Sequence, residues 1–267
     1  MAITTRDGLI SAIAAGRTVQ FQKGSVGAAV GAFAAHYRTA GNPAPPAVSA
    51  PTTTGNALSR TSQGAMAIPA PSNTSYISSF EGGAAAAQTL MLSDRLVEFG
   101  GLSSIVTTAQ AVSALALPAR ATGATDVELW LEIYNAGGAT ASATVTASYT
   151  NQAGTAGRTA TLVGGVPASG WTLGRTYPFA LATGDTGVQS VQSLTIGTSS
   201  GTAGNVGLVL RRTLLTGFVP VAGGGFQLGW AETDLQQCPD DACLELISLL
   251  TATSTGSILG NFGIAQG

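Results

Sequence analysis

The stretch from residue 126 to residue 150 constrains the fold more than any other part of the chain. In its first half, VELWLEIY, aliphatic residues at odd positions alternate with glutamates and aromatic residues at even positions. In its second half, alanine, valine and tyrosine alternate with serine and threonine. A period of two is typical of a strand with one buried face, and Gly137 and Gly138 provide a flexible turn between the halves. The stretch predicts an antiparallel β-hairpin in which Leu131 faces a core and Glu132 faces away from it.

Other short apolar runs follow at roughly ten-residue spacing, each bounded by Gly, Asn, Asp or Pro, which is typical of a sandwich or barrel. LMLSDRLVEF is compatible with either a strand or a short helix. Two alternating segments, 243–250 and 257–264, predict a terminal hairpin. The expected fold class is mainly β, with an antiparallel β-sandwich of the jelly-roll kind.

The beginning of the chain differs in character from the rest. Thr4 opens a Ser/Thr-x-x-acid pattern that predicts the cap of a short helix. A short strand is expected at 19–23, and the proline-rich 41–51 predicts an extended, semi-rigid connector. We therefore expect an N-terminal arm of helix, strand and connector at 1–56, followed by a β-sandwich body at 57–267.

Charged residues make up 9% of the chain, against roughly 25% in an ordinary soluble domain. Because a free monomer relies on charge for solubility, this content favours a surface covered by neighbours. The alternative is a soluble all-β domain of low charge. Residues 1–60 carry five basic residues and one acid, and residues 232–267 carry five acids and no base. Opposite charges at the two ends favour contacts between copies or with a partner, and the alternative is two solvated termini.

The sequence predicts neither a membrane span nor a secretory signal. Its charge-free runs are interrupted by Ser, Thr, Gln and Gly, whereas a spanning helix needs about 20 predominantly apolar residues. The start of the chain lacks a basic segment followed by an apolar one. We expect the protein to assemble in a host cytoplasm.

Candidates for nucleophilic or metal chemistry are few. His36 is the only histidine, and no G-x-S-x-G elbow accompanies it, so we expect a partly buried or interfacial ring rather than a catalytic base. Cys238 and Cys243 lack the further ligands that a tetrahedral zinc site requires. We expect two free thiols, with a disulfide across a small loop as the alternative.

The remaining charged motifs predict no site either. Asp240, Asp241 and Glu245 lack the spacing of a calcium loop, so we expect solvated turn acids. Arg211 and Arg212 should lie on opposite faces of one strand, with one meeting a carboxylate or an interface and the other solvated. Two arginines are too few for nucleic-acid binding. The expected lists of catalytic, cofactor-binding and metal-binding residues are therefore empty.

Seven segments, in order along most of the chain, carry a resemblance to a known family. They are VQFQK, LSDRLVEFGGLSSIVTTAQ, VELWLEIY, SYTNQAGTAGRTAT, GDTGVQSVQSLTI, GTAGNVGLVLRR and STGSILGNFGIAQG. Together they resemble virion structural proteins of tailed bacteriophages. The resemblance implies a non-enzymatic component of the virion that is present in many copies.

The expected function is a capsid decoration or cement protein that stabilises the shell. Its expected partners are the major capsid protein and other copies of itself, with neither nucleic acid nor membrane. One alternative is a structural protein of the tail or neck, which would contact tail or neck proteins. An alternative of another class is a carbohydrate-binding host-attachment module, with Trp130 or Trp171 as the platform on which a sugar stacks.

Overall fold

A computed structural model of the chain describes residues 3–123 and 125–267. Residues 1 and 2 of the predicted arm, and Ala124, lie outside the described residues. The described part is mainly β, as predicted, and all its strand pairs are antiparallel. Its elements are helix α1 (Arg6–Ala14), a 3-10 turn (Ala119–Ala121), and strands β1 (Arg17–Lys23), β2 (Phe33–Ala35), β3 (Gly41–Asn42), β4 (Asn56–Ala57), β5 (Ser75–Ala84), β6 (Gln88–Glu98), β7 (Leu102–Ser103), β8 (Gln110–Ala111), β9 (Glu128–Ile133), β10 (Val145–Asn151), β11 (Arg158–Leu162), β12 (Arg175–Ala180), β13 (Val188–Ile196), β14 (Asn205–Val219), β15 (Gly225–Leu228), β16 (Gln237–Cys238), β17 (Leu244–Leu250) and β18 (Ile258–Gln266).

Six strands of the larger sheet close into a ring, which we call the barrel. Its order is β2, β17, β6, β14, β9 and β12, and β12 pairs back with β2 through Thr176 and Phe33. Strands β11, β10, β13 and β8 continue outward from β12 as an open sheet, the wing. The antiparallel β class is confirmed, but a jelly-roll sandwich is not, because the central strands form a closed ring.

The smaller sheet has the order β15, β5, β18, β1 and β3, with β16 also pairing with β5. Strand β1 pairs with β18 over seven residues, from Arg17 opposite Ile264 to Lys23 opposite Ile258. The first strand of the chain therefore lies beside the last one.

Both predicted hairpins are wrong, although their strands exist. Strand β9 pairs with β12 and β14, while β10 pairs with β11 and β13. Strand β17 lies in the barrel, and β18 lies in the smaller sheet. Directly after β9, the backbone N–H groups of Tyr134 and Asn135 both donate to Asn205 O at the start of β14. Alternation identifies the faces of a strand but not its neighbours.

Apolar side chains pack on the outside of the barrel. On one side, Leu129 and Leu131 of β9 belong to a core shared with Tyr149 of the wing. On the other side, Leu92 of β6 belongs to a core shared with Phe80 of the smaller sheet. Two apolar cores therefore cover the outside of the barrel on opposite sides. The apolar side chains of these strands point outward, so the interior is lined by the side chains of the other face.

The first 56 residues contribute to both sheets, since β1 joins the smaller sheet and β2 closes the barrel. The division into an arm at 1–56 and a body at 57–267 stays a prediction. Helix α1 is capped by Thr5 rather than Thr4, because Thr5 Oγ1 accepts a hydrogen bond from Gly8 N at 3.0 Å. Within 3–123 and 125–267, every helix is too short or too polar to cross a membrane.

Candidate functional site

Charged side chains fill the interior of the barrel. Arg95 of β6 donates from Nη1 to Glu132 Oε2 at 2.7 Å and to Glu245 Oε2 at 3.0 Å. Strand β14 separates β6 from β9 in the ring, so Arg95 and Glu132 meet across the interior. Arg95 and Glu245 have no exposed side-chain surface, and Glu132 has 3%. We call Arg95, Arg211, Glu98, Glu132 and Glu245 the interior ion cluster.

Arg211 of β14 is the second cation of this cluster. Its Nη2 donates to Glu132 Oε2 at 2.9 Å, its Nε lies 3.4 Å from Glu245 Oε1, and its guanidinium lies 5.1 Å from the centre of the Trp130 ring. Arg212 instead lies 3.5 Å from Asp126 and is partly exposed. The prediction that one of these two arginines meets carboxylates is confirmed for Arg211. The expected solvation of the other is wrong, because the Arg212 side chain is only 15% exposed and its Nη2 donates to Arg120 O at 3.2 Å.

A β-bulge brings Glu98 onto the same face as Arg95. Leu96 has no partner on β14, whose consecutive residues lie opposite Arg95 and Val97. In a regular strand, residues three apart point to opposite faces, and one extra residue reverses that relation. Glu98 Oε2 therefore accepts a hydrogen bond from Arg95 Nε at 3.0 Å.

Burial and charge act in opposite directions within the cluster. Burial raises the pKa of Glu132, but the charges of Arg95 and Arg211 outweigh it and hold the pKa below its ordinary value. At Glu245 burial dominates over the two arginines and raises the pKa. Glu245 also has one oxygen, Oε1, without a hydrogen bond. Glu132 is therefore the carboxylate that chiefly balances the two arginines.

Arg38 lies at one end of the barrel, just after β2. Its guanidinium is 5.4 Å from the centre of the Tyr37 ring and 5.0 Å from that of Tyr134. Its Nη2 donates to Glu98 Oε1 at 2.8 Å. The two rings and the carboxylate hold the guanidinium in one orientation.

Two clefts meet at Arg38. One, of about 470 Å³, lies under the proline-rich segment and is also lined by Glu98. The other, of about 440 Å³, is lined by Glu132, Ala35 and Leu173, and we call it the barrel-mouth cleft. Both volumes fall within the range of small-molecule sites.

His36 is fully buried, rather than partly buried as predicted. Its Nε2 lies 2.9 Å from Ser248 Oγ, and Nδ1 has no hydrogen-bond partner. Burial, and then the charge of Lys23, lower the pKa of the imidazole to about 3. His36 is therefore neutral at physiological pH.

The resonances of His36 are expected to stay constant between pH 8 and pH 5. Because its folded pKa lies below the ordinary value of 6.5, His36 contributes its full stability above that value, and this stability is lost as the pH falls towards 3. The measurement is the chemical shift of the imidazole Hε1, and assignment is simple because the chain has one histidine. A titration midpoint near 6.5 would contradict the buried placement.

Cys238 and Cys243 are free and buried, so the prediction of free thiols is confirmed. Burial raises the pKa of Cys238 to about 12 and also raises the pKa of Cys243. Thiol reactivity depends on the exposed thiolate. Neither sulfur therefore has the character of a reactive thiol.

A thiol-specific disulfide reagent is expected to react with neither cysteine in the folded protein at pH 8 and with both after unfolding in urea. The reason is the combination of burial and raised pKa. The measurement is the absorbance of the released thiolate. Cys238→Ser and Cys243→Ser assign any signal, and fast reaction of the folded wild type would show that a thiol is accessible.

Two other expectations are wrong. Glu245 is not a solvated turn acid, because it lies inside the barrel while Asp241 remains exposed. Trp130 and Trp171 are 2% and 1% exposed, so neither ring offers a face to a sugar. In the described ranges, no group of three or more His, Cys, Asp or Glu side chains could hold a metal ion.

Comparisons with known proteins establish no family. No protein family matches the chain, and no curated protein does. Two solved structures of infectious bursal disease virus show a weak likeness. The VP2 subviral particle is 8% identical, with 94% of this chain and 80% of that chain covered and a TM-score of 0.23. The Gt strain has the same identity and coverage and a TM-score of 0.21. Scores this low do not establish a shared fold.

Sequence reasoning missed the interior ion cluster, although a signal for it exists. Arg95, Glu132, Arg211 and Glu245 each lie inside a strand-length run in which aliphatic residues occur on both sides. A charge surrounded in this way is either exposed on an amphipathic strand or enclosed. Each of these strands has hydrogen-bonded neighbours on both edges and is covered on both faces, so its charged side chain is enclosed rather than exposed.

Proposed function

We propose that this chain is a non-enzymatic structural component of a tailed-phage particle, and that it decorates and stabilises the capsid. Its partners in this proposal are the major capsid protein and further copies of itself. The sequence resemblance supplies the kind of particle. The small number of charged side chains on the surface is the physical argument for assembly.

The observation that carries the proposal is the shortage of charge on the surface. The chain has 24 charged residues, and eight of their side chains are buried, which leaves 16 for a surface of 10784 Å². The buried ones are Lys23, Asp94, Arg95, Glu98, Glu132, Arg175, Arg211 and Glu245. Since charge keeps isolated proteins apart in solution, a surface this poor in charge favours permanent contact with neighbours.

Large apolar side chains on the surface support the same conclusion. Phe218, Val221 and Leu259 are between 55% and 60% exposed, and Val163 is 79% exposed. Single exposed apolar residues are common on monomers. Combined with few charges, they favour interfaces stabilised by apolar burial rather than by ion pairs.

Labelling of purified particles tests the proposal. Gold-labelled antibodies against the chain should mark the whole shell in electron micrographs, and antibody pre-absorbed with the purified protein should mark nothing. A ring of label at the tail or neck would favour that alternative placement. Absence of the chain from purified particles would overturn a virion role.

The carbohydrate-binding alternative loses its proposed platforms, because Trp130 and Trp171 are buried. A glycan array gives the direct comparison with the structural role. Binding to one sugar class would favour host attachment. Label on the shell without glycan binding would favour decoration.

A further inference from the structure

The end of the smaller sheet where β5 begins carries two structures close together. On one edge of β5, Gln266 of β18 lies opposite Ser75. Helix α1 packs at this place, with Ala12 beside Gly267. On the other edge of β5, Cys238 of β16 lies opposite the same Ser75. Two strands on either side of a third are about 10 Å apart, so α1 and the segment that leads into β16 share one end of the sheet.

The segment 229–236, which we call the acidic loop, is anchored to β5 but leaves its largest side chain in solvent. Thr233 Oγ1 donates to Ile77 O of β5 at 2.9 Å. The Trp230 ring is 52% exposed, whereas the other two tryptophans of the chain are buried. Tryptophan is enriched among the residues that contribute most to protein interfaces. An exposed indole on an anchored loop is therefore suited to contact a partner.

Helix α1 leaves its apolar side chains uncovered in the same region. Ile10 is 55% exposed, and Leu9 and Ile13 are partly exposed. These three residues lie on one face of the helix, because they are three or four positions apart or adjacent to such a pair. A helix of nine residues has little stability of its own in water and depends on packing. Its own chain buries only Ala12, so the apolar face remains available.

Charges of opposite sign accompany these two apolar features. Arg6 begins α1 and Arg17 follows it, while Asp7 offsets one of these two positive charges. The acidic loop carries Glu232 and Asp234 and no basic residue. All five side chains are exposed, and none of them forms an ion pair with any residue in 3–123 or 125–267.

A surface with a basic half beside an acidic half is complementary to a second copy of itself turned by 180°. In a two-fold dimer each contact occurs twice, so α1 of either copy meets the acidic loop of the other. The charges select the orientation of the two copies. Burial of the exposed isoleucine and tryptophan then contributes most of the affinity, in keeping with the low charge of the chain.

We propose that helix α1 and the acidic loop together form a two-fold interface with a second copy of this chain. Ile10 packs against the partner's Trp230, and Arg6 faces the partner's Glu232. The inference deepens the proposed contact between copies and rests on that part of the proposed function.

Sedimentation velocity and tryptophan fluorescence of the full-length protein test the interface together. Because Trp130 and Trp171 are buried, quenching by acrylamide reports mainly on Trp230. As the protein concentration rises, the sedimentation coefficient should shift from monomer to dimer, and the quenching should fall over the same range. A monomer at every concentration would overturn the proposal. So would a dimer in which the quenching is unchanged, since its interface would lie elsewhere.

Ile10→Asp is expected to raise the dissociation constant of the dimer by about tenfold or more, because it places a charge in the apolar part of the interface. The fold should tolerate the change, since Ile10 is more than half exposed. Val163→Asp is the matched control, because Val163 is 79% exposed but follows β11 in the wing. It should leave the dimer intact. Equal weakening by the two variants would contradict the assigned surface.

Reversal of two charges gives a second test that does not depend on Ile10. Arg6→Glu and Glu232→Lys should each weaken the dimer at low salt, and the double variant should recover most of the affinity. Because exposed charges are screened by salt, the losses in the single variants should shrink as the salt concentration rises. Losses that simply add in the double variant would overturn the proposed orientation.

These results can be distinguished from failure of the proposed function. A labelled phage shell together with a monomeric chain would overturn the interface and leave the decoration role in place. Particles that lack the chain, together with a dimer that responds to the Ile10 and charge variants as expected, would overturn the decoration role and leave the interface in place.

Discussion

Replacing Glu132 with alanine is expected to lower the free energy of unfolding by about 3 to 5 kcal/mol, the usual cost of removing one partner from a buried ion pair. The carboxylate accepts from Arg95 and Arg211, and neither arginine has exposed side-chain surface. Its removal leaves two guanidinium groups competing for Glu245, whose own pKa burial has raised. The measurement is equilibrium unfolding in urea, followed by circular dichroism.

Glu128→Ala is the matched control for this prediction. Glu128 lies on the same strand and the same face, but it is only half-buried and accepts one hydrogen bond, from Trp130 Nε1 at 2.7 Å. Its loss should cost about 1 kcal/mol. Equal costs for the two variants would mean that the barrel interior is open to water and that the interior ion cluster is screened.

Deleting residues 1–23 is expected to abolish cooperative unfolding. The deletion removes β1, whose Val19 and Phe21 belong to the core between the barrel and the smaller sheet. It also leaves β18 without its partner along seven residues. The measurement is the urea transition together with hydrogen exchange of the β18 amides, which should lose their protection.

Deleting residues 1–15 is the control, because it removes α1 and leaves β1 in place. Only Ala12 of that helix is buried, so the cooperative transition should remain. A body of residues 57–267 that folds independently would instead tolerate the longer deletion. A cooperative transition in the protein without residues 1–23 would therefore contradict our expectation and support a boundary at residue 56.

The sequence predicts which face of an individual strand is buried. In β10, Val145, Ala147 and Tyr149 are buried, and the serine and threonine side chains between them are half-buried, as alternation predicts. Such a strand has a clear inner and outer face because only one of its faces is packed against a core. Its pairing with β11 is local, across the short loop 152–157, but its pairing with β13 depends on the path of the chain between residues 162 and 188.

The interior ion cluster shows why the rest could not be predicted. In β9, Leu131 and Glu132 are both buried, since an apolar core covers one face and the barrel encloses the other. The partner of Glu132 is Arg95, which lies 37 residues earlier and two strands away in the ring. Glu98 joins them through a bulge that no periodicity reveals. The interior ion cluster forms only when the strands pair and the ring closes. Both steps bring together residues that are far apart in the sequence.

The pairing of β1 with β18 also sets the order of events during synthesis. Strand β1 leaves the ribosome long before its partner β18, which ends at Gln266. The pairing of β1 with β18 therefore cannot form until β18 has left the ribosome, and until then one edge of β1 lacks its partner. Contacts between such distant segments make folding slow and leave nascent chains open to mispairing with one another. The rate at which folded protein appears would then be set by this late pairing rather than by the speed of translation.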